Sequence, residues 1–193
     1  MPVDVYVLTA SGRLVAHAGR IRAHVHAAAT STFEEVGLGG FAPDGHTVFL
    51  ALDPDHEHFE RALEREVFRT LAHEFHHVAR HRASLRGHTL LDALVSEGLA
   101  DHFSIEVTGM EPPPWAVALD PERTAAMSDR ARAEYDNPRY DHRAWFFGST
   151  DVEIPRWTGY TLGFQIVADY LERHPGSSAA ALAMMASETL RPA

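Results

Sequence analysis

The stretch from His56 to Arg82 reads H-E-H-F-E-R-A-L-E-R-E-V-F-R-T-L-A-H-E-F-H-H-V-A-R-H-R and contains neither Gly nor Pro. Its apolar side chains recur every three or four residues, at Phe59, Leu63, Val67, Leu71, Phe75 and Val78. This spacing predicts an amphipathic helix, because residues three and four apart lie on the same face. Asp55 is a suitable N-cap for that helix, which we expect to bury its apolar face.

Strands are predicted before this helix, and further helices after it. The alternating, β-branched segments Val3–Leu8 and His46–Leu52 predict strands. Gly37–Gly45, with its Gly and Pro residues, predicts a loop, and Leu14–Ala29 is ambiguous because it is Ala-rich without a clear helix cap. The later segments predict four helices and one aromatic loop: helices Thr89–Val107, Pro121–Tyr135, Thr158–Arg173 and Ser177–Leu190, and loop Asn137–Pro155.

The order of these elements predicts an α+β fold. A β-containing part over residues 1–56 precedes a helical part over 57–193, and no linker composition separates them. The whole chain, residues 1–193, is therefore expected to form one domain, a size at which a single core is common.

Composition excludes several classes of function. The chain has 193 residues, no Cys and a net charge of −10, so disulfides and Cys-based zinc sites are ruled out. The negative charge argues against nucleic acid or an anionic membrane as the main partner. No segment has the apolar length of a membrane span or the pattern of a signal peptide, so we expect a cytoplasmic location. The oligomeric state is left open.

The middle of the long helix carries His73-Glu74-Phe75-His76-His77, an H-E-x-x-H motif. Four residues advance a helix by about 400° and ~6 Å, so His73 and His77 lie on one face and can bind one ion. Glu74 lies one position further round, where it can take a proton from water bound to the metal. Because the chain contains 14 His, a chance match is not negligible and the motif needs support from its context.

That context is the segment S-E-G-L-A-D at 96–101 on the next predicted helix. Catalytic zinc commonly takes two His and one Glu, which makes Glu97 the expected third ligand. Asp101 follows Glu97 by four residues and can accept the second ring N–H of a histidine ligand. The alternative third ligand is His81, but a straight helix holds it too far along the axis.

These motifs resemble the gluzincin type of zinc protease, with H-E-x-x-H and a downstream E-x-x-x-D. More closely, the chain resembles the bacterial predicted zinc-dependent proteases known as a domain of unknown function. The segments that carry this resemblance, besides the two motifs, are Gly37–Phe41, Phe49–Pro54 and Trp157–Val167. The resemblance spans roughly Gly37 to Leu190. It implies a zincin-like fold, one Zn²⁺ per chain and a peptide or protein substrate.

Other residues are candidates for supporting roles. A donor is needed for the oxyanion of the transition state, and Tyr160, His142, Arg156 and His102 are candidates; Tyr160 is preferred because Gly159 and Gly163 permit close packing around it. In zincins an edge strand lies along the cleft, and strand His46–Leu52 could bind an extended substrate in this way by main-chain pairing. The alternative is a core strand, and the two are not exclusive.

Three functions remain open at this stage. The first is a zinc metallopeptidase. The second is a catalytically idle zinc domain that regulates or binds a partner, and the third is a zinc hydrolase of a small amide. Glu74 favours an enzyme over an idle domain, because only the enzyme needs the base. It does not separate the peptidase from the amide hydrolase.

Overall fold

The computed structural model describes residues 21–85 and 87–192, which form two compact units. The first unit comprises the described residues up to Ser84 together with Phe103–Met110, and the second comprises the rest. The strands are β1 (Arg22–Ala27), β2 (Leu38–Phe41) and β3 (Thr47–Leu52). The α-helices are α1 (Phe59–Arg61), α2 (Val67–Arg82), α3 (Leu90–Thr108), α4 (Pro121–Glu134), α5 (His142–Phe147), α6 (Thr158–Arg173) and α7 (Ala179–Leu182).

This mixture of a small sheet and many helices confirms the α+β class. No helix among the described residues is long and apolar enough to cross a membrane. The predicted strand Val3–Leu8 lies outside the described residues. The single-domain prediction and its division at residue 56 stay predictions.

In the first unit, β3 is the central strand of a three-stranded sheet. It pairs in parallel with β1 and antiparallel with β2. From Phe49 to Leu52 both sides of β3 are therefore paired, and a further chain cannot pair with it there. The expectation that His46–Leu52 lies at the edge was wrong, because β2 occupies the position that an incoming strand would need. The segment Leu14–Ala29, which was ambiguous from its sequence, is extended where it forms β1.

The core of the first unit lies between the sheet and α2. Val48 and Leu50 alternate toward one face of β3 and are 0% and 2% exposed. They pack in one cluster with Ala42, Leu71, Phe75 and Val78. The apolar face predicted for the long helix is thus buried along α2, as its spacing requires.

The predicted helix is interrupted before α2. The helical path begins at Phe59, and the N-cap of α1 is His58 rather than Asp55. A π-helical turn, Ala62–Glu66, then connects α1 to α2. Because a π turn holds more residues than an α turn, it breaks the 3.6-residue period from which the apolar face was predicted. Leu63 lies inside this turn and is 45% exposed.

Strand β2 lies inside the segment that was predicted as a loop. The backbone of this strand approaches its neighbours too closely for a side chain. A Cβ atom at Gly39 would lie 2.2 Å from the carbonyl oxygen of Ser31, and one at Gly40 would lie 2.6 Å from Cγ2 of Thr70. The two glycines that suggested a loop are therefore required by packing on opposite faces of a strand.

In the second unit, α3 and α6 are in backbone contact. A Cβ atom at Gly98 would lie 2.1 Å from the carbonyl oxygen of Gly163, and one at Gly163 would lie 2.1 Å from that of Leu94. These two glycines permit the close approach of α3 and α6 within this unit.

The aromatic segment predicted as a loop contains α5. Asp141 caps this helix by accepting a hydrogen bond from the backbone N–H of Ala144 at 3.0 Å. The C-terminal segment is less helical than predicted. The predicted helix Ser177–Leu190 is reduced to α7 and the 3₁₀ turn Ser187–Leu190.

Candidate metal centre

Helix α2 directs two imidazole rings of the first unit at one point. The Nε2 atoms of His73 and His77 lie 3.0 Å apart, and their ring planes cross at 77°. Two nitrogen ligands at ~2.0–2.1 Å from a tetrahedral zinc ion lie about 3.3 Å apart. The spacing of the two ring nitrogens therefore fits a shared metal ion, and both rings are half-buried.

Glu74 lies beside the edge strand. Its side chain is buried, with the residue 5% exposed. A Cβ atom at Gly40 would lie 2.5 Å from Oε1 of Glu74, so the backbone of β2 passes directly over this carboxylate. Gly40 itself is exposed.

The remaining histidines of α2 are held by the first unit. His76 is 1% exposed, and its ring packs against Phe103 with centroids 5.6 Å apart. His81 places its Nε2 atom 3.0 Å from the carbonyl oxygen of Ala42. That hydrogen bond connects α2 to the chain after β2, and it explains His81 without a metal ion.

Glu97 and Asp101 lie one helical turn apart on α3, in the second unit. Glu97 is half-buried, whereas Asp101 is 1% exposed. The indole N–H of Trp115 donates to both carboxylate oxygens of Asp101, at 3.3 and 3.2 Å. These hydrogen bonds fix the orientation of a buried carboxylate, and sequence reasoning did not anticipate them.

His142 of α5 interacts electrostatically with Glu97. Although much of its surface is exposed, the protein atoms around the ring desolvate it and lower the pKa of His142. The negative charges of Glu97 and Asp141 oppose this shift without reversing it. The neutral imidazole is thereby favoured in a histidine that lies within electrostatic reach of the expected third ligand.

Tyr160 is part of an aromatic cluster in the second unit. It is 8% exposed, and three rings surround it: Phe146 at 5.0 Å, Trp157 at 5.7 Å and Trp115 at 6.4 Å between centroids. The ring of His142 stacks on Phe146 at 4.5 Å. Tyr160 and His142 therefore flank the same phenylalanine.

The other two oxyanion candidates have structural contacts of their own. His102 stacks on Phe164 with centroids 4.0 Å apart, and its Nε2 atom lies 3.0 Å from the carbonyl oxygen of that residue. The guanidinium of Arg156 lies 4.1 Å from the centroid of the Trp157 ring. These contacts account for both residues without a catalytic role.

Residues 21–191 match the family described as predicted Zn-dependent protease (DUF2268). The chain belongs to this family. It is also similar to the uncharacterized protein YjaZ of Bacillus subtilis (strain 168), with 31% identity over 132 residues. That match covers 62% of this chain and 48% of the relative, so it spans about half the length of the curated protein. No solved structure matches the chain.

The family match includes every candidate residue discussed above. His73, Glu74 and His77 lie on α2, while Glu97 and Asp101 lie on α3 and Tyr160 on α6. Membership of a family described as predicted Zn-dependent protease agrees with the resemblance inferred from the motifs. The roles of the individual residues stay predictions. Sequence reasoning missed the position of β2, for which the only signal was the pair Gly39-Gly40.

Proposed function

We propose that this chain is a zinc metallopeptidase that binds one Zn²⁺ through His73, His77 and Glu97. The observation that carries the proposal is the 3.0 Å separation of the Nε2 atoms of His73 and His77, since a tetrahedral zinc ion requires nearly this spacing. The E-x-x-x-D sequence that begins at Glu97 supports the third ligand. Membership of the family of predicted Zn-dependent proteases supports the choice of metal and of reaction.

Glu74 is the proposed general base. Bound zinc would supply Lewis-acid activation of a water molecule and of the scissile carbonyl group. Glu74 takes a proton from the attacking water at a carboxylate oxygen, and the same oxygen then delivers it to the leaving amine. Its burial beside the backbone of β2 restricts the carboxylate to few conformations, which suits a group that must transfer protons at a defined position.

Asp101 is proposed as a positioning residue. The two hydrogen bonds from Trp115 hold its carboxylate in one orientation. We propose that the carboxylate accepts the second ring N–H of a histidine ligand, which selects the tautomer able to bind zinc. Loss of such a group typically weakens metal affinity or activity by ~10–100-fold, so Asp101→Asn should still bind zinc measurably.

Tyr160 is the proposed oxyanion donor, with His142 as the alternative. Both flank Phe146, and His142 lies within electrostatic reach of Glu97. A neutral imidazole can also donate one N–H to an oxyanion, so the lowered pKa of His142 is compatible with that role. The hydroxyl of Tyr160 is preferred because its ring is buried among aromatic neighbours that hold it rigidly.

The proposed substrate is a peptide bound along β2. Strand β3 is paired on both sides, so an extended substrate would have to use an edge strand. The edge strand β2 is the one whose backbone approaches Glu74, at Gly40. A peptide paired there would bring its backbone amides next to the proposed base. This requirement for an extended backbone favours a peptide over a small amide.

The test of the proposal is the Glu74→Gln variant, measured on protein purified without a histidine tag. Zinc content and melting temperature should change little, because Gln retains the shape of Glu. Cleavage of a mixed peptide library should fall by ~10²–10⁴-fold, the usual cost of losing a general base. Glu64→Gln, on the exposed side of the π-helical turn, is the matched control and should retain full activity.

Two results would contradict the peptidase. The chain is an idle zinc domain if the zinc-loaded parent cleaves no peptide in a broad library but binds a partner equally well with Glu or Gln at position 74. If it hydrolyses small amides and leaves all extended peptides intact, the third function is correct.

A further inference from the structure

A pocket lies in the second unit, between α5, the N-terminal end of α4 and the chain that follows α5. Its volume is about 900 Å³, within the range of ligand-binding pockets. Three arginines from three separate parts of this unit line it: Arg123, Arg143 and Arg156. None of the metal-site residues proposed above lines this pocket.

The wall formed by the chain after α5 is well defined. Ser149 and Ile154 exchange two backbone hydrogen bonds, of 2.8 and 2.9 Å. Arg130 donates a further hydrogen bond from Nη1 to the carbonyl oxygen of Val152, at 2.6 Å. A Cβ atom at Gly148 would lie 2.8 Å from the backbone nitrogen of Arg156. The backbone of this wall is thus held in place by several contacts.

The pocket contains side chains of both charges. Three arginines and two acidic residues, Asp141 and Glu153, line it, and Nε of Arg123 lies 3.6 Å from Oδ2 of Asp120. One carboxylate oxygen of Asp141 accepts the hydrogen bond that caps α5. Arg143 is exposed, so an anionic ligand can reach its guanidinium group.

Helix α5 carries residues that line the pocket and a residue that contacts Tyr160 of the same unit. His142 and Phe146 are four residues apart, their rings stack at 4.5 Å, and the ring of Phe146 contacts that of Tyr160 with centroids 5.0 Å apart. Arg143 and Phe147 are also four residues apart, one position further round the helix, and both line the pocket. If one residue of a peptide substrate lies next to His142, a neighbouring residue of that peptide can consequently reach the pocket.

We propose that this pocket binds a carboxylate of the peptide substrate, and this inference rests on the proposed peptidase function. The guanidinium groups form charge-assisted, bidentate hydrogen bonds with a carboxylate, which a neutral amide cannot reproduce. Phe147, whose side chain is 45% exposed, packs against the methylene groups of the bound residue. The carboxylate is either that of an Asp or Glu side chain or the C-terminal carboxylate of the peptide.

The experiment measures binding rather than cleavage, on zinc-loaded Glu74→Gln protein, so that the probe is not consumed. The probes are fluorescent peptides of Ala, Gly and Ser with an amidated C-terminus, carrying Glu or Gln at one position that is moved along the chain. A third peptide has no acidic side chain but a free C-terminus. Anisotropy is recorded at about 0.15 M salt, where long-range charge effects are screened.

One of the carboxylate peptides should bind about 3–10-fold more tightly than its neutral counterpart, the range expected for a partly exposed ion pair with bidentate geometry. Arg143→Gln should abolish that preference. Arg139→Gln removes the same charge from an exposed position outside the pocket and should leave the preference intact. The preferred peptide identifies which of the two carboxylates is bound.

Equal binding of carboxylate and neutral peptides, at every position tested, would overturn the proposal. Equal losses in Arg143→Gln and Arg139→Gln would also overturn it, because they would indicate attraction by overall charge alone. Both outcomes are independent of turnover. A chain that binds carboxylate peptides through Arg143 but cleaves none of them with Glu74 intact would retain the pocket and contradict the peptidase.

Discussion

Helices α2 and α5 both carry histidines that we place near the reaction, yet they are held in position by different means. Helix α2 packs a regular apolar face, with Leu71, Phe75 and Val78, into the core of its unit. Helix α5 has six residues, too few to be stable in isolation. It depends on its cap at Asp141 and on the burial of Trp145 and Phe146. A periodic pattern therefore locates one set of site residues, whereas tertiary contacts locate the other.

The largest effect is expected from replacing Glu97, which we propose as a ligand alongside the two histidines of α2. Glu97→Ala should lose tight zinc binding and retain most of the fold, because a site with only two protein ligands holds zinc weakly. His81→Ala is the matched control. It removes the hydrogen bond to Ala42, so it should lower stability by about 1 kcal/mol and retain zinc.

Metal analysis and thermal unfolding of the two variants provide the measurement. If Glu97→Ala retained one equivalent of zinc while His81→Ala lost it, the ligand assignments would have to be exchanged. All three metal ligands would then lie on α2.

The second prediction concerns Tyr160, whose position, like that of α5, is set by tertiary contacts. Removal of one oxyanion donor typically lowers kcat by ~10²–10³-fold, so Tyr160→Phe should show such a loss with KM and zinc content nearly unchanged. Tyr170→Phe, further along the same helix and stacked on His174, should have full activity. An unchanged kcat in Tyr160→Phe would assign this ring to packing and shift attention to His142.

The third prediction tests how strictly the edge strand positions the base on α2. The added methyl group in Gly40→Ala would meet Oε1 of Glu74 at 2.5 Å and must displace it. A displaced base is no longer aligned with the water that it must deprotonate, so we expect kcat to fall about tenfold or more. Zinc content should stay constant. In Gly45→Ala the methyl group meets Arg82, with Cγ at 2.7 Å, and not Glu74, so kcat should not change. Equal activity of the two variants would contradict a role for β2 beside Glu74.

The smallest effect is expected at the cap of α5. Asp141→Ala removes the acceptor for the N–H of Ala144 and should cost about 1 kcal/mol, the usual value for an N-cap. Asp120→Ala removes the equivalent cap of α4, a hydrogen bond from Arg123 at 2.8 Å, and should cost a similar amount. Urea unfolding measures both losses.

Only the Asp141→Ala variant should also lower kcat, since α5 carries His142. If the two cap variants were equally active, the position of α5 would be determined by its buried aromatic residues alone, and its cap would contribute only stability.

The errors of prediction concern features set by tertiary contacts, as in α5, rather than features set by local spacing, as in α2. The spacing of His73, Glu74 and His77 predicted a shared helical face, and the convergence of the two ring nitrogens agrees with it. Gly39 and Gly40 predicted a loop, because glycine is most common where the chain turns. The structure requires them for another reason, close backbone packing on both faces of a strand. The edge position of β3 was wrong because strand order is not encoded in the pattern of one strand.

The sequence by itself determined the α+β class, the burial of one face of α2 and the family, since each depends on local spacing or on short motifs. Only the tertiary structure decided which strand lies at the edge, that α5 exists and that three arginines meet around one pocket. These features join residues far apart in the chain, such as Arg123 and Arg156. Local periodicity carries no information about such pairs, because their proximity results from the burial of apolar surface over the whole unit.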